Sequence, residues 1–277
     1  MYPVGLSTCS KTADEAFFRS ICEAGIRHIE VSPAADGYRA LDWQSLRRLA
    51  DRFGVALWSF HLPFLPFETH DISAADKTVR RRSVEWDEDL LRRAAEAGVT
   101  RFVVHPSGEP IREKDRAERL ECAKESLAKL AETAEKAGGA IAVEDLPRTC
   151  LGRDSGEILS LLSADSRLGV CFDTNHLLRE TPEAFIRAVG DRIVTTHVSD
   201  YDFADEKHWL PGEGDINWQS LFAALRESGY GGVWLYELGY RAPGSMRRPR
   251  DLTPADFVNN AREIFEGRPL TVLGRRT

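Results

Sequence analysis

The chain has 277 residues, and its 37 Lys and Arg against 44 Asp and Glu give a formal net charge of −7. This length can bury a large core without cross-links, and 42% hydrophobic and 29% charged residues are typical of a soluble globular protein. The acidic balance argues against a surface built to bind nucleic acid, which is normally basic.

The cysteines and the first residues bear on the cellular compartment. The five cysteines are odd in number and form no Cys-x-x-Cys pair, so we expect no disulfide framework and a reducing environment. Residues 1–5 lack a basic stretch followed by an apolar one, and no apolar run reaches the ~18 residues of a membrane-spanning helix. These observations predict a cytoplasmic protein without a membrane segment.

Eight short and nearly continuous apolar runs predict strands, because parallel strands covered on both faces carry such runs. In chain order they cover residues 3–7, 27–31, 55–61, 101–105, 140–144, 168–173, 192–197 and 232–237. Helical patterns between and after them cover about 11–24, 42–53, 76–97, 113–137, 155–163, 182–189, 218–228 and 254–266.

Start and stop signals agree with these spans. Glycines follow five of the helical patterns, where a left-handed residue ends many helices; they are Gly25, Gly54, Gly98, Gly138 and Gly229. Thr181, Asn217 and Thr253 stand where N-caps are expected, and prolines follow both threonines.

Eight strand–helix units predict an α/β fold, the (β/α)₈ TIM barrel. The main alternative is an open doubly wound sheet, but no G-x-G-x-x-G follows the first strand, which weakens a dinucleotide-binding form. No linker interrupts the pattern, so we expect one domain over residues 1–277. The longest loop, about 198–217, follows strand seven, and loops of that length are usually functional.

Side chains that can bind metal close six of the eight predicted strands, at the end where barrel active sites lie. They are His61, His105, Glu144, Asp173, His197 and Glu237, and His176 and His208 follow nearby. Because burying several carboxylates together is unfavourable without a cation, this convergence predicts a divalent metal. We expect its core ligands to be Glu144, Asp173, His197 and Glu237. This oxygen-rich set suits Mn²⁺, Mg²⁺ or Co²⁺, and Zn²⁺ becomes more favourable if further histidines bind.

Other polar residues have simpler interpretations. His28 and His70 lie outside the rim pattern, so we expect structural or solvated roles for them. Four arginines follow strand eight, where many barrels hold phosphate. Contact with an anionic substrate is therefore one interpretation of this cluster, beside a surface or subunit-contact role; its members are Arg241, Arg247, Arg248 and Arg250.

The segments around these residues resemble the xylose-isomerase-like barrel superfamily, which contains sugar phosphate isomerases and epimerases and the endonuclease IV group. The segments are His61-Leu62-Pro63-Phe64, Val104-His105-Pro106, Val143-Glu144-Asp145, Asp173-Thr174-Asn175-His176, His197-Val198-Ser199-Asp200, Pro211-Gly212-Glu213-Gly214-Asp215-Ile216-Asn217-Trp218 and Tyr236-Glu237. The resemblance covers nearly the whole chain and implies the same barrel fold.

The two branches of this superfamily imply different sites. The epimerase branch implies one metal on the core set, with Glu144 and Glu237 as the acid/base pair and His176 in contact with substrate. The endonuclease IV branch implies three zinc ions on nine ligands: His61, His105, Glu144, Asp173, His176, His197, Glu206, His208 and Glu237.

The chain departs from both subgroups. Endonuclease IV proteins usually have Asp at the position of Glu206 and Lys at the position of Asp202, whereas ketose 3-epimerases usually have Arg at the position of Phe203. The P-G-E-G-D-I-N-W segment favours the broad isomerase and epimerase branch.

The leading hypothesis is a metal-dependent isomerase or epimerase that acts on a small sugar, sugar acid or sugar phosphate by proton transfer next to a carbonyl. One alternative is a polynuclear zinc phosphodiesterase of the endonuclease IV kind. Another is a lyase or dehydratase that acts on an oxidised sugar at the same glutamates. We expect a small-molecule partner rather than nucleic acid or membrane, and the frequent pairing of such barrels favours a homodimer.

Overall fold

A computed structural model describes residues 1–277, and its eight parallel strands form one barrel. The strands are β1 (Val4–Ser7), β2 (His28–Val31), β3 (Ala56–His61), β4 (Arg101–Val104), β5 (Ala140–Glu144), β6 (Gly169–Asp173), β7 (Ile193–His197) and β8 (Trp234–Tyr236). Neighbours pair in the order β7-β6-β5-β4-β3-β2-β1-β8. A parallel bridge between Val198 and Tyr236 joins the two ends, so the sheet closes. The predicted (β/α)₈ barrel is confirmed.

Eight helices surround the barrel. They are α1 (Glu15–Glu23), α2 (Trp43–Phe53), α3 (Lys77–Glu96), α4 (Arg116–Lys136), α5 (Ser155–Leu162), α6 (Pro182–Val189), α7 (Trp218–Glu227) and α8 (Pro254–Phe265). A two-stranded ribbon, β9 (Met246–Arg247) with β10 (Arg275–Arg276), lies outside the barrel sheet. None of the helices combines the length and the apolar character needed to cross a membrane.

The predicted helix ends follow from local hydrogen bonding. Asn217 and Thr181 cap α7 and α6, as expected. All five glycines predicted to end helices have positive φ, from 62° at Gly54 to 93° at Gly25. The expected start of α1 at residue 11 is too early, because Asp14 accepts a hydrogen bond from Phe17 N at 2.9 Å and begins the helix there.

The main apolar core fills the space between the strands and the helices. Trp234 is fully buried there, with Phe265 5.5 Å away in an edge-to-face arrangement. The barrel interior holds polar side chains as well: Trp58 Nε1 donates to Thr195 Oγ1 at 3.0 Å. The strands therefore bring polar as well as apolar side chains together.

The start of α8 is stabilised by one carboxylate. Thr253 donates to Asp256 Oδ2 from its backbone N and from Oγ1, at 2.7 and 2.8 Å. Arg250 donates to both oxygens of Asp256 at 2.7 and 2.8 Å. The Arg250 guanidinium and these Thr253 groups lower the pKa of Asp256 to about 2.

We expect Asp256→Asn to lower the free energy of unfolding by about 1 kcal/mol at neutral pH, the usual effect of losing a cap. Because its folded-state pKa is depressed, the carboxylate stabilises the fold above its ordinary pKa of 3.8. That contribution is lost as the pH falls toward about 2. Urea unfolding at about pH 7 and about pH 3 measures this change. Asp191→Asn, at an exposed residue with no side-chain hydrogen bond, is the control. If the difference in free energy of unfolding between wild type and Asp256→Asn is the same at both pH values, the ionised carboxylate is not what stabilises the start of α8.

Candidate functional site

Four side chains meet at the C-terminal end of the barrel. Glu144, Asp173 and His197 close β5, β6 and β7, and Glu237 lies one residue after β8. One ligand atom from each lies within 4.8 Å of the others. His197 Nδ1 is 3.2 Å from Glu144 Oε1, 3.7 Å from Asp173 Oδ2 and 3.1 Å from Glu237 Oε2. We call this set the central cluster, and it is the core set predicted from the sequence.

The central cluster concentrates negative charge away from water. The side chains of Asp173 and His197 are fully buried, and that of Glu237 is 13% exposed. Burial, reinforced by the neighbouring carboxylate of Glu144, raises the pKa of Asp173 to about 6. Asp173 Oδ2 has no hydrogen-bond partner. A buried acceptor without a partner is unfavourable, so the cluster has the properties of a cation site.

Two more groups of possible ligands adjoin the central cluster. His61 closes β3 and His105 follows β4, and the Nε2 atom of each lies 3.2 Å from Glu144 Oε2. A third group comprises His176, Glu206 and His208, again with ligand atoms within 4.8 Å. All nine residues that the family resemblance implies therefore meet at one rim. Glu144 belongs to two of these groups and to a further one with Cys171 and His197, because one oxygen faces His197 and the other faces His61 and His105.

The histidines are oriented through Nδ1 in three cases. The Nδ1 atoms of His61 and His176 lie 2.8 Å from the carbonyl oxygens of Leu62 and Asp145. His208 Nδ1 lies 3.3 Å from the carbonyl oxygen of Glu237. An N–H donated to a carbonyl leaves the lone pair on Nε2, and this arrangement is typical of histidines that bind metals.

Glu30 is a site residue that the sequence analysis missed. It lies on β2 and is fully buried, and its Oε2 accepts from Ser59 Oγ at 2.8 Å and lies 3.0 Å from His197 Nε2. Holding the proton at Nε2 directs the Nδ1 lone pair of His197 into the central cluster. The available signal was a carboxylate inside the apolar run 27–31.

The long loop after β7 is organised by Asp200 rather than by a ligand. The fully buried carboxylate of Asp200 accepts from the backbone N of Gly212 at 2.7 Å and Ile216 at 3.2 Å. It also accepts from Trp218 Nε1 at 2.8 Å. The loop that carries Glu206 and His208 is therefore closed on a single side chain.

The arginine cluster is mostly engaged elsewhere. Arg248, whose side chain is 1% exposed, forms two hydrogen bonds with Glu213 at 2.6 and 2.9 Å. Arg250 binds Asp256, and of the four arginines only Arg241 lines the cavity described below. Carboxylate pairing occupies Arg248 and Arg250, so of this cluster Arg241 is the member placed to contact a ligand in the cavity. His70 is structural as expected: it is buried with Nε2 3.2 Å from Asp87.

A cavity of about 1,000 Å³ opens above the central cluster. Its walls include seven of the nine implied residues, whereas Asp173 and His197 lie beneath its floor; the seven are His61, His105, Glu144, His176, Glu206, His208 and Glu237. Three non-glycine residues that line it have positive φ: Ser10 at 57°, Arg148 at 54° and His208 at 51°. Such backbone conformations are uncommon and collect at functional sites.

The comparisons with known proteins agree with this architecture. The family described as xylose isomerase-like TIM barrel matches residues 18–257, so the chain belongs to this family. An uncharacterized protein from Methanocaldococcus jannaschii is 30% identical over 197 residues, which cover 68% of this chain and 66% of that protein. A probable endonuclease 4 from Thermoplasma acidophilum is 26% identical over 60% of this chain and 61% of its own length. These matches therefore span slightly less than two thirds of both relatives.

Other relatives match over more of their length. A fructoselysine 3-epimerase from Shigella flexneri is 24% identical over 91% of this chain and 98% of its own. Among solved structures, a D-tagatose 3-epimerase-like protein has a TM-score of 0.81 at 24% identity, covering 96% of this chain and 97% of that chain. A D-psicose 3-epimerase has a TM-score of 0.76 at 20% identity, covering 96% and 98%. At these identities the structural matches establish the fold.

We expect Asp200→Asn to lower the free energy of unfolding by about 1–3 kcal/mol, because the amide turns a donor toward buried N–H groups and leaves them unpaired. Urea unfolding measures the loss, and Asp191→Asn should stay within about 0.5 kcal/mol of wild type. Equal stability of Asp200→Asn and wild type would show that this carboxylate does not hold the loop.

Proposed function

We propose that this chain is a divalent-metal-dependent sugar epimerase or isomerase. The observation that carries the proposal is the central cluster on the floor of a large cavity, with Glu144 and Glu237 both facing that cavity. The names of the related sugar 3-epimerases support the same reaction class. The substrate is accordingly a small sugar, and the reaction moves a proton at a carbon next to a carbonyl.

The residues of the central cluster fit a divalent cation. Three carboxylates and one imidazole, with Asp173 Oδ2 lacking a protein partner, form the oxygen-rich donor set of Mn²⁺, Mg²⁺ or Co²⁺ sites and are compatible with Zn²⁺. Glu144, Asp173, His197 and Glu237 would hold the ion. When bound, it would polarise the carbonyl and a neighbouring hydroxyl of the sugar and stabilise the negative charge that develops there.

Glu144 and Glu237 are the proposed acid/base pair. Burial raises the pKa of Glu237, but the neighbouring His197 outweighs burial and holds the pKa at about 2. The same kind of contact with His197 and His105 lowers the pKa of Glu144 well below its ordinary value. Both carboxylates face the cavity, where they can accept a proton. One removes the proton from carbon and the other delivers a proton to the opposite face.

The other residues of the site differ in their access to the cavity. His176 lines the cavity 3.6 Å from both Glu144 and Asp173, a position from which it can contact a substrate hydroxyl. Asp173 and His197 lie under the floor and have no access to a sugar.

We also propose that residues 1–277 form one domain, that the protein is cytoplasmic and that it forms a homodimer.

A polynuclear phosphodiesterase is the second candidate function. Its supporting observation is the set of three adjoining ligand groups, because Glu144 is a member of two of them and lies 3.6 Å from His176 of the third. The relative named probable endonuclease 4 supports it as well. The net charge of −7 and an acid at position 202 weaken it, since phosphate contacts dominate nucleic-acid affinity.

Metal content separates the two candidates. After loading with Mn²⁺ or Zn²⁺ and desalting, elemental analysis should give about one ion per chain for the epimerase and about three for the phosphodiesterase. Asp173→Ala and His197→Ala should lose the central ion, because each removes a buried ligand, whereas Asp191→Asn should retain it. Full occupancy in both ligand variants would refute the central site. Efficient incision of DNA at an abasic site would instead favour the phosphodiesterase.

Glu237→Gln tests the proton transfer. The amide keeps the size and one oxygen but cannot accept a proton, so metal should still bind while turnover falls by roughly 10²–10⁴. Epimerisation of D-tagatose and D-fructose in deuterated water, followed by NMR, measures turnover and exchange at carbon. Glu227→Gln, an exposed glutamate on α7, is the matched control. Near-normal turnover of Glu237→Gln would mean that this carboxylate is only a ligand.

A further inference from the structure

The cavity has a mixed side and an apolar side. The loops after β5, β7 and β8 form the mixed side, which carries charged groups such as Arg148, Glu206 and Arg241 beside apolar ones such as Leu146 and Leu238. Apolar side chains on the loops after β2 and β3 form the other; they are Pro33, Ala34, Ala35, Phe64, Leu65 and Phe67. Because β2 and β3 are neighbours in the sheet, these apolar groups lie together as one wall.

The aromatic part of this wall is held in place. The ring of Phe64 stacks on His105 with centroids 4.3 Å apart and planes at 23°. The ring of Phe67 covers Gly108, where an added Cβ would lie 2.8 Å from Phe67 Cδ1. Glycine at position 108 thus allows the close approach, and the wall is a rigid surface rather than a loose loop.

The far end of the same loop is anchored to the helices. His70 Nε2 lies 3.2 Å from Asp87 on α3. Arg119 on α4 donates from Nε to the carbonyl oxygen of Ser73 at 2.7 Å. Phe64, Leu65 and Phe67 therefore lie on a segment fixed at both ends, and Leu65 remains 40% exposed above the cavity.

The size of the cavity exceeds what a simple sugar requires. A volume of about 1,000 Å³ is at the upper end of the ~300–1,000 Å³ pockets that enclose drug-sized ligands. A sugar placed with its carbonyl near the central cluster has polar partners on the mixed side, whereas its hydroxyls would find none on Phe64, Leu65 and Phe67. An apolar group attached to the sugar would bury these side chains and gain from their removal from water.

Building on the proposed function, we infer that the substrate is a sugar bearing an uncharged apolar substituent, and that Phe64, Leu65 and Phe67 form a subsite for it. We call these three residues the apolar subsite. They act on specificity, because they contact the part of the substrate that does not react. The sugar end stays at the central cluster.

Calorimetric binding to the full chain with saturating MnCl₂ tests the subsite. The probes are D-fructose and two ketoses with a neutral aromatic group at either end, 1-anilino-1-deoxy-D-fructose and 6-O-benzyl-D-fructose. At least one substituted ketose should bind about tenfold more tightly than D-fructose. In Phe67→Ala and Leu65→Ser, the dissociation constant of D-fructose divided by that of the preferred substituted ketose should approach unity. Leu159→Ser is the control, because Leu159 on α5 is as exposed as Leu65, 41% against 40%, and does not line the cavity.

The outcomes distinguish the subsite from the reaction. If neither substituted ketose binds more tightly than D-fructose, or if the preference survives in both subsite variants, the apolar subsite is refuted while epimerisation can still be observed. If a substituted ketose binds tightly through Leu65 and Phe67 but no ketose is epimerised, the subsite stands and the proposed function fails. Folding of Leu65→Ser is not in question because its side chain is exposed.

Discussion

The constraint on which this molecule depends is the burial of several carboxylates around one imidazole. Glu144, Asp173 and Glu237 surround His197 at the point where the parallel strands end. Charges removed from water are strongly unfavourable unless other groups compensate them. The neighbouring histidines supply that compensation only in part, and Glu30, which orients His197, adds a further buried carboxylate. Within the central cluster, Asp173 Oδ2 has no hydrogen-bond partner, and this oxygen marks the place for a cation.

Acidic residues near the rim have two distinct roles. Asp200 accepts hydrogen bonds from the loop after β7, and Glu213 pairs with Arg248. These two residues shape the site without facing it. Asp145 accepts from the backbone N of Asp173 at 2.7 Å and supports that strand end. Glu144 and Glu237, which face the cavity, accept no backbone hydrogen bond. Side-chain chemistry alone does not separate these two glutamates from Asp145, Asp200 and Glu213; the hydrogen bonds do.

The two candidate reactions share one centre. A sugar carbonyl and a phosphodiester both need positive charge near an oxygen that becomes negative, and the central cluster can hold an ion for either. The two reactions differ in the groups that they require around the central cluster. The groups containing His61, His105, His176 and His208 could extend the site to several ions. The aromatic wall and the scarcity of free arginines around the cavity fit an uncharged ligand better than a chain of phosphates.

Much of this architecture follows from the sequence by itself. Apolar runs of strand length alternating with amphipathic helices specify the barrel, and a barrel places strand ends on one rim, so His61, Glu144, Asp173 and His197 could be assigned to one site before any coordinates. The helix ends at Gly54 and Asn217 could also be predicted from the sequence, because they depend on the backbone conformation of one residue and on a short-range cap. Only the tertiary structure assigned Glu30 to His197, 167 positions away, or Arg248 to Glu213. The partners of a charged side chain depend on which distant segments come together in the folded chain, and the spacing of residues along the sequence does not predict those contacts.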